Sequence, residues 1–286
     1  MDRLLSNKRC VSISMTLTLA LVIALSTSGS AMGQEKGGSP ARNEPTASSQ
    51  QQGPTDRAEM EAFMDKELGK EMEKRQIAGA AVSVVKDGKL FFAKGYGDAD
   101  LKKDIPVDPE QTTFRIGSTA KLFTWTAVMQ LAEQGKLDLN EDINTYLDFR
   151  IPDTYSQPIT LKDLMTHTAG FEDRYYERLA KDPDELEPPR EWLISHMPAR
   201  VSPPGDVAVY SSYGAALAGY IVARVSGEPY DHYVQEHILN PLGMVHTTAR
   251  SYTTARSSMS PDIRAHTSVG YVYKDGAFQE FPAGNS

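Results

Sequence analysis

The 286 residues are 40% hydrophobic and 24% charged, enough chain to bury the core of one large domain or two small ones. A formal net charge of -8 argues against nucleic acid or an anionic membrane surface as partner. The only cysteine is Cys10, near the start, which excludes an internal disulfide and a cysteine-built metal site from the rest of the chain.

Residues 1-33 read as an export signal. They combine a basic start (Arg3, Lys8, Arg9), an apolar core from Val11 to Leu25, and small residues through Ala31-Met32-Gly33 that suit a signal peptidase. That core falls short of the roughly 20 residues a membrane span needs. Cleavage would therefore leave a chain with no stable span, bound for the periplasm or the extracellular space. Cys10 lacks the small-residue context of a lipoprotein signal and reads as incidental. Residues 34-56 are rich in Gly, Ser, Pro, Gln and Ala, the composition of a flexible tether, and the folded domain is expected over 57-286.

Met60, Phe63, Met64, Leu68 and Met72 recur at helical spacing, predicting an amphipathic helix that ends near Gly79 and puts its methionines in the core. Strands follow at 80-85 and 90-96, joined by Lys86-Asp87-Gly88-Lys89, whose Asp-Gly pair suits a tight turn. A helix is expected from Ser118 to about Gln134, stopped by Gly135, with Leu122, Val128, Met129 and Leu131 as core. Beyond it come a short helix at 141-147, another capped by Thr160 and ending in His167-Thr168-Ala169-Gly170, and an acidic loop over 172-190. Helices are predicted at 190-197, 212-226 and 230-238, and a last hairpin around Lys274-Asp275-Gly276. His167, at a helix end, reads as structural.

The pattern Ser-x-x-Lys occurs twice. In Ser83-Val84-Val85-Lys86 it lies on a strand, where residues three apart face opposite sides, so its serine and lysine cannot cooperate. In Ser118-Thr119-Ala120-Lys121 it opens a helix, where residues three apart share a face and the amine can reach the hydroxyl. That is an activated-nucleophile arrangement, and Tyr210, in Val209-Tyr210-Ser211-Ser212-Tyr213, supplies a phenol. The histidines at 167, 196, 232, 237, 246 and 266 contain no His-Glu-x-x-His, which argues against a metal-dependent hydrolase.

Taken in order, Ser118 to Lys121, Leu-Asp-Leu-Asn-Glu-Asp at 137-142, the Leu161 to Gly170 segment, Tyr210 and Asn-Pro-Leu-Gly-Met at 240-244 carry a family likeness. The chain resembles the serine β-lactamase and penicillin-binding-protein superfamily, in particular its class C β-lactamase-like branch, over roughly residues 60-284. The resemblance implies an α/β (α+β) fold, with an antiparallel sheet flanked by helices plus a mostly helical region that carries the nucleophile. It implies that Ser118 attacks a carbonyl, that Lys121 and Tyr210 handle its proton, and that an acyl-enzyme forms. The oxyanion would be held by the Ser118 N-H and one from a sheet strand. No cofactor or metal is called for. The substrate would be a small molecule or a peptidoglycan peptide: a β-lactam, a D-alanyl peptide or an ester.

Two departures accompany the likeness. Ser212, assigned to substrate binding, stands where the family has asparagine. The third motif, Lys or His followed two residues later by Gly on a site-lining strand, has no match in context: Lys36-Gly37-Gly38 is in the tether, while Lys86-Asp87-Gly88 and Lys274-Asp275-Gly276 are turns. These departures support an alternative, a catalytically impaired penicillin-binding-like protein that binds cell-wall peptide or a protein partner. They also suggest a chain cut short at its C-terminal side, poorly soluble and slow toward every acyl substrate, because a lone hairpin is too small to make a stable sheet.

Overall fold

A computed structural model describes residues 53–173, 187–249 and 260–281. The expectations for the leader, for the tether up to Gln52 and for residues 174–186 of the acidic loop lie outside the described residues.

Helix α1 (Arg57–Arg75) begins at Asp56, whose carboxylate accepts the N-H groups of Ala58 at 2.7 Å and Glu59 at 3.3 Å. It ends at Gln76, in the left-handed region at φ 55°. Its methionines are not core, contrary to the sequence expectation: Met60, Met64 and Met72 are half-buried, and Phe63 is 58% exposed. The reason is that α1 rests on a strand along one side only, where Lys94 reaches Glu61 at 2.7 Å and Asp65 at 2.8 Å, and the Tyr96 hydroxyl donates to Asp65 at 2.9 Å.

Strands β1 (Gly79–Lys86) and β2 (Lys89–Asp100) form the predicted hairpin. Both turn residues, Asp87 at φ 52° and Gly88 at φ 73°, adopt the left-handed conformation that matches strand twist in a two-residue turn. A short β3 (Ile105–Pro106) pairs with the end of β2, giving the sheet order β1-β2-β3. The last hairpin, β4 (Tyr271–Lys274) and β5 (Ala277–Glu280), uses the same chemistry at Asp275 and Gly276. It makes a two-stranded sheet of its own, tied to the first by the Leu101 N-H donating to the Tyr271 hydroxyl and by a Lys102–Glu280 ion pair.

The nucleophile segment differs in detail from the expected single helix. A 3-10 turn, Gly117–Ala120, precedes α2 (Lys121–Glu133). The difference preserves the key spacing, since residues i and i+3 eclipse one another in a 3-10 turn. On α2 the buried positions are Thr124, Ala127, Val128 and Leu131, one face at spacings of three and four. Leu122 and Met129, expected in the core, are 62% and 47% exposed because they lie seven residues apart on the opposite face.

Over 141-147 only a 3-10 turn forms, Ile143–Thr145, with Asp142 as its cap. Helix α3 (Leu161–Met165) has the reciprocal cap its sequence promises: the Thr160 hydroxyl accepts the Asp163 N-H, and the Asp163 carboxylate accepts the Thr160 N-H. The remaining helices are α4 (Pro189–Ser195), α5 (Ser212–Ser226), α6 (Tyr230–Val234), which continues as a π turn through Gln235–Leu239, and α7 (Pro261–His266). Sequence reasoning missed α7, although Ser260 as cap and Pro261 at the first position are its ordinary signals.

The core sits among α2, α3 and α5, closed by Ile143, Ile151, Ile159, Leu193 and Leu239. Helix α5 is buried on most of its circumference, and its small residues let neighbours approach: an added Cβ at Gly219 would lie 3.4 Å from the Tyr230 ring. This packing holds the serine turn of α2 and the chain entering α5 at fixed positions.

Candidate active site

Two chain segments converge on one hydroxyl. Gly117, at φ 52°, lets the chain turn into the 3-10 segment so that Ser118 projects outward, and the next turn carries Lys121 above it. The Lys121 amine donates to Ser118 Oγ at 3.3 Å. The Tyr210 hydroxyl, 92 positions further along, donates to the same oxygen at 2.6 Å. The Lys121 Nζ also lies 4.8 Å from the centre of the Tyr210 ring. The structure thus brings together the three residues singled out in the sequence as candidates for catalysis. Their cluster faces outward: Ser118 is exposed, and so is 44% of Tyr210.

The local electrostatics make the phenol easier to ionise than a free tyrosine. Burial pushes Tyr210 up, but its hydrogen bonds with Lys121 and Ser118, the Lys121 charge and the Ser212 hydroxyl together hold it below the ordinary tyrosine value. Ser212, at the start of α5, makes the smallest of these contributions. The side chain before it, Ser211, is buried and caps α5 by accepting the Gly214 N-H at 3.0 Å.

His167 is the site neighbour whose importance sequence reasoning missed. It takes the left-handed conformation at φ 59°, uncommon for a residue with a side chain, and its ring lies 4.5 Å from that of Tyr210. Its carbonyl accepts the Val209 N-H at 2.8 Å, and its Nδ1 accepts the Ser211 N-H at 3.3 Å. The signal lay in the His-Thr-Ala-Gly turn itself, where Gly170 cannot be replaced without collision: a Cβ there would stand 2.0 Å from the Ser202 carbonyl oxygen. A cavity of about 600 Å³ lies behind the serine turn, lined by Gly117, Ala120 and Phe123 but by none of the three clustered side chains. Among the described residues no group of three His, Cys, Asp or Glu side chains is placed to hold a metal ion. No helix among them is long and apolar enough to cross a membrane.

The family model described as Beta-lactamase matches residues 61–269. PbpX of Bacillus subtilis (strain 168), whose name places it among candidate penicillin-binding proteins, is 37% identical over 171 residues, 59% of this chain and 41% of that protein. The chain thus spans about two fifths of the length of this curated relative. Among solved structures, the octameric penicillin-binding protein homologue from Pyrococcus abyssi superposes with a TM-score of 0.65 at 28% identity, covering 80% of this chain and 51% of that one. A class C beta-lactamase shares the fold, with a TM-score of 0.62 at 24% identity over 82% of this chain and 62% of that one. With its mixed α/β architecture, its serine, lysine and tyrosine on one oxygen, and a family match over most of its length, the chain belongs to the beta-lactamase family.

Proposed function

We propose that the protein is an exported serine hydrolase that acts through an acyl-enzyme on a β-lactam, a D-alanyl peptide or an ester, in the periplasm or outside the cell. The observation that carries this reading is the shared contact of Tyr210 and Lys121 on Ser118 Oγ. Once the Tyr210 phenol has lost its proton to solvent, Ser118 Oγ attacks the substrate carbonyl carbon, its proton passes to the Tyr210 phenolate, and the carbonyl electron pair moves onto oxygen. Collapse of that intermediate expels the leaving group, which takes the proton back from Tyr210. Water then releases the acyl group by the same path. Lys121 assists by lowering the pKa of the phenol through its hydrogen bond and its charge.

Ser212 enters this reading on both sides, as a substrate-binding hydroxyl and as a donor to the phenolate. Removing it in Ser212→Ala should raise the Tyr210 pKa, so the rise of acylation rate with pH should move to higher pH. An unchanged profile would separate Ser212 from the proton path. Tyr210→Phe keeps the ring and should slow acylation by about 10²- to 10⁴-fold, the usual worth of a positioned base. Rates on a chromogenic cephalosporin, a D-alanyl-D-alanine peptide and a short nitrophenyl ester test the reading. Turnover of at least one that collapses in Tyr210→Phe supports it, and turnover indifferent to the change refutes it.

A further inference from the structure

We propose that His167 is a positioning residue for the proposed acylation, a neutral clasp that fixes the Tyr210 phenol on Ser118 and releases it when the imidazole is protonated. The proposal rests on the hydrolase reading above and goes beyond it. The geometry is specific: His167 holds the residues on both sides of Tyr210, Val209 through its carbonyl and Ser211 through its ring. The ring itself packs on the Tyr210 ring, and Trp125 of α2 meets it edge-on with centroids 6.3 Å apart. A donor pointing at Nδ1 requires that nitrogen to be unprotonated, so the neutral ring carries its proton on Nε2. Holding a non-glycine residue in the left-handed region costs energy, and that cost is repaid here by contacts to the segment bearing the phenol.

The titratable groups facing His167 from other elements are Lys121 on α2 and Tyr210 ahead of α5. On its own segment Asp163 is engaged by the hydroxyls of Thr160 at 2.7 Å and Thr168 at 3.2 Å. Burial first, and the Lys121 charge second, hold the imidazole below its ordinary value. The neutral clasp is therefore kept at neutral pH. Acidification through that lowered pKa would add a second cation beside Lys121 and turn Nδ1 into a donor facing another donor. The Ser211 bond is then lost and the phenol is no longer held at hydrogen-bonding distance from Ser118.

Two variants and one spectrum test this. The rate of Ser118 labelling by a fluorescent penicillin, followed against pH, should show an acid limb in the wild type. His167→Asn presents an amide oxygen at the position of Nδ1 to the Ser211 N-H and tolerates the left-handed backbone but cannot titrate, so it should keep most of the neutral-pH rate and lose that limb. His167→Ala removes the acceptor and should slow labelling about 10²-fold, the usual cost of a reacting group misplaced by an ångström. An acid limb that persists in His167→Asn, or a wild-type rate in His167→Ala, overturns the proposal. The second readout needs no reactivity: in wild-type protein with labelled tyrosine and histidine, NMR should show the Tyr210 ring resonances moving with the His167 titration. If nothing acylates, the hydrolase reading fails while this spectrum still decides the clasp, and Tyr210 resonances that ignore the His167 titration overturn it.

Discussion

Lys121→Ala is expected to lower the acylation rate by about 10²- to 10⁴-fold while leaving the protein folded. Lys121 is half-buried, its amine contacts the Ser118 hydroxyl and the face of the Tyr210 ring, and it lies outside the buried positions of α2. Its removal takes away the cation that favours the phenolate, so the Tyr210 pKa rises toward the ordinary value. A specific pH signature follows: the variant should recover part of its rate as pH increases and the phenol ionises without help. Stopped-flow or gel-based acylation over a pH series reads both effects. No recovery would mean that Lys121 also holds the serine in place, and a wild-type rate at neutral pH would remove lysine from the proton path.

Phe171→Ala is expected to cost about 3–5 kcal/mol of unfolding free energy, read by denaturant titration. Phe171 is 1% exposed, and its ring meets that of Tyr213 edge-on with centroids 5.0 Å apart. The Arg200 guanidinium lies 5.6 Å from its centre. The backbone here cannot close the resulting cavity. Gly170 is held at φ 77° by the Val201 N-H on its carbonyl at 2.8 Å, and Phe171 itself bridges to Arg200. A loss below about 1 kcal/mol would show that the segment relaxes in a way this packing forbids.

Local chemistry made much of the fold legible. Asp-Gly at 87-88 and 275-276 and Thr160 ahead of α3 each announce a turn or a cap through a side chain or a missing one, and each stands where expected. What the residues could not announce was which faces find a partner. Leu122 and Met129 are as apolar as Val128 and Leu131, yet only the second pair meets the rest of the core. The α1 methionines have the right spacing, but only one strand lies beneath them. At the site, Ser118 and Lys121 were readable from a spacing of three, and Tyr210 from the family motif. His167 was not, because its role arises from a ring contact and a backbone clasp across 44 positions of chain. The exchange of asparagine for Ser212 was visible, but its link to the phenol appears only in three dimensions.

The most direct measurement is to treat the protein and its Ser118→Ala variant with a fluorescent penicillin and an acyl-serine-forming fluorophosphonate, then locate the adduct by mass spectrometry of the peptides. One covalent adduct on Ser118, absent from Ser118→Ala, is the expected result. Labelling on another residue, or equal labelling of the variant, would contradict the assignment of Ser118 as nucleophile.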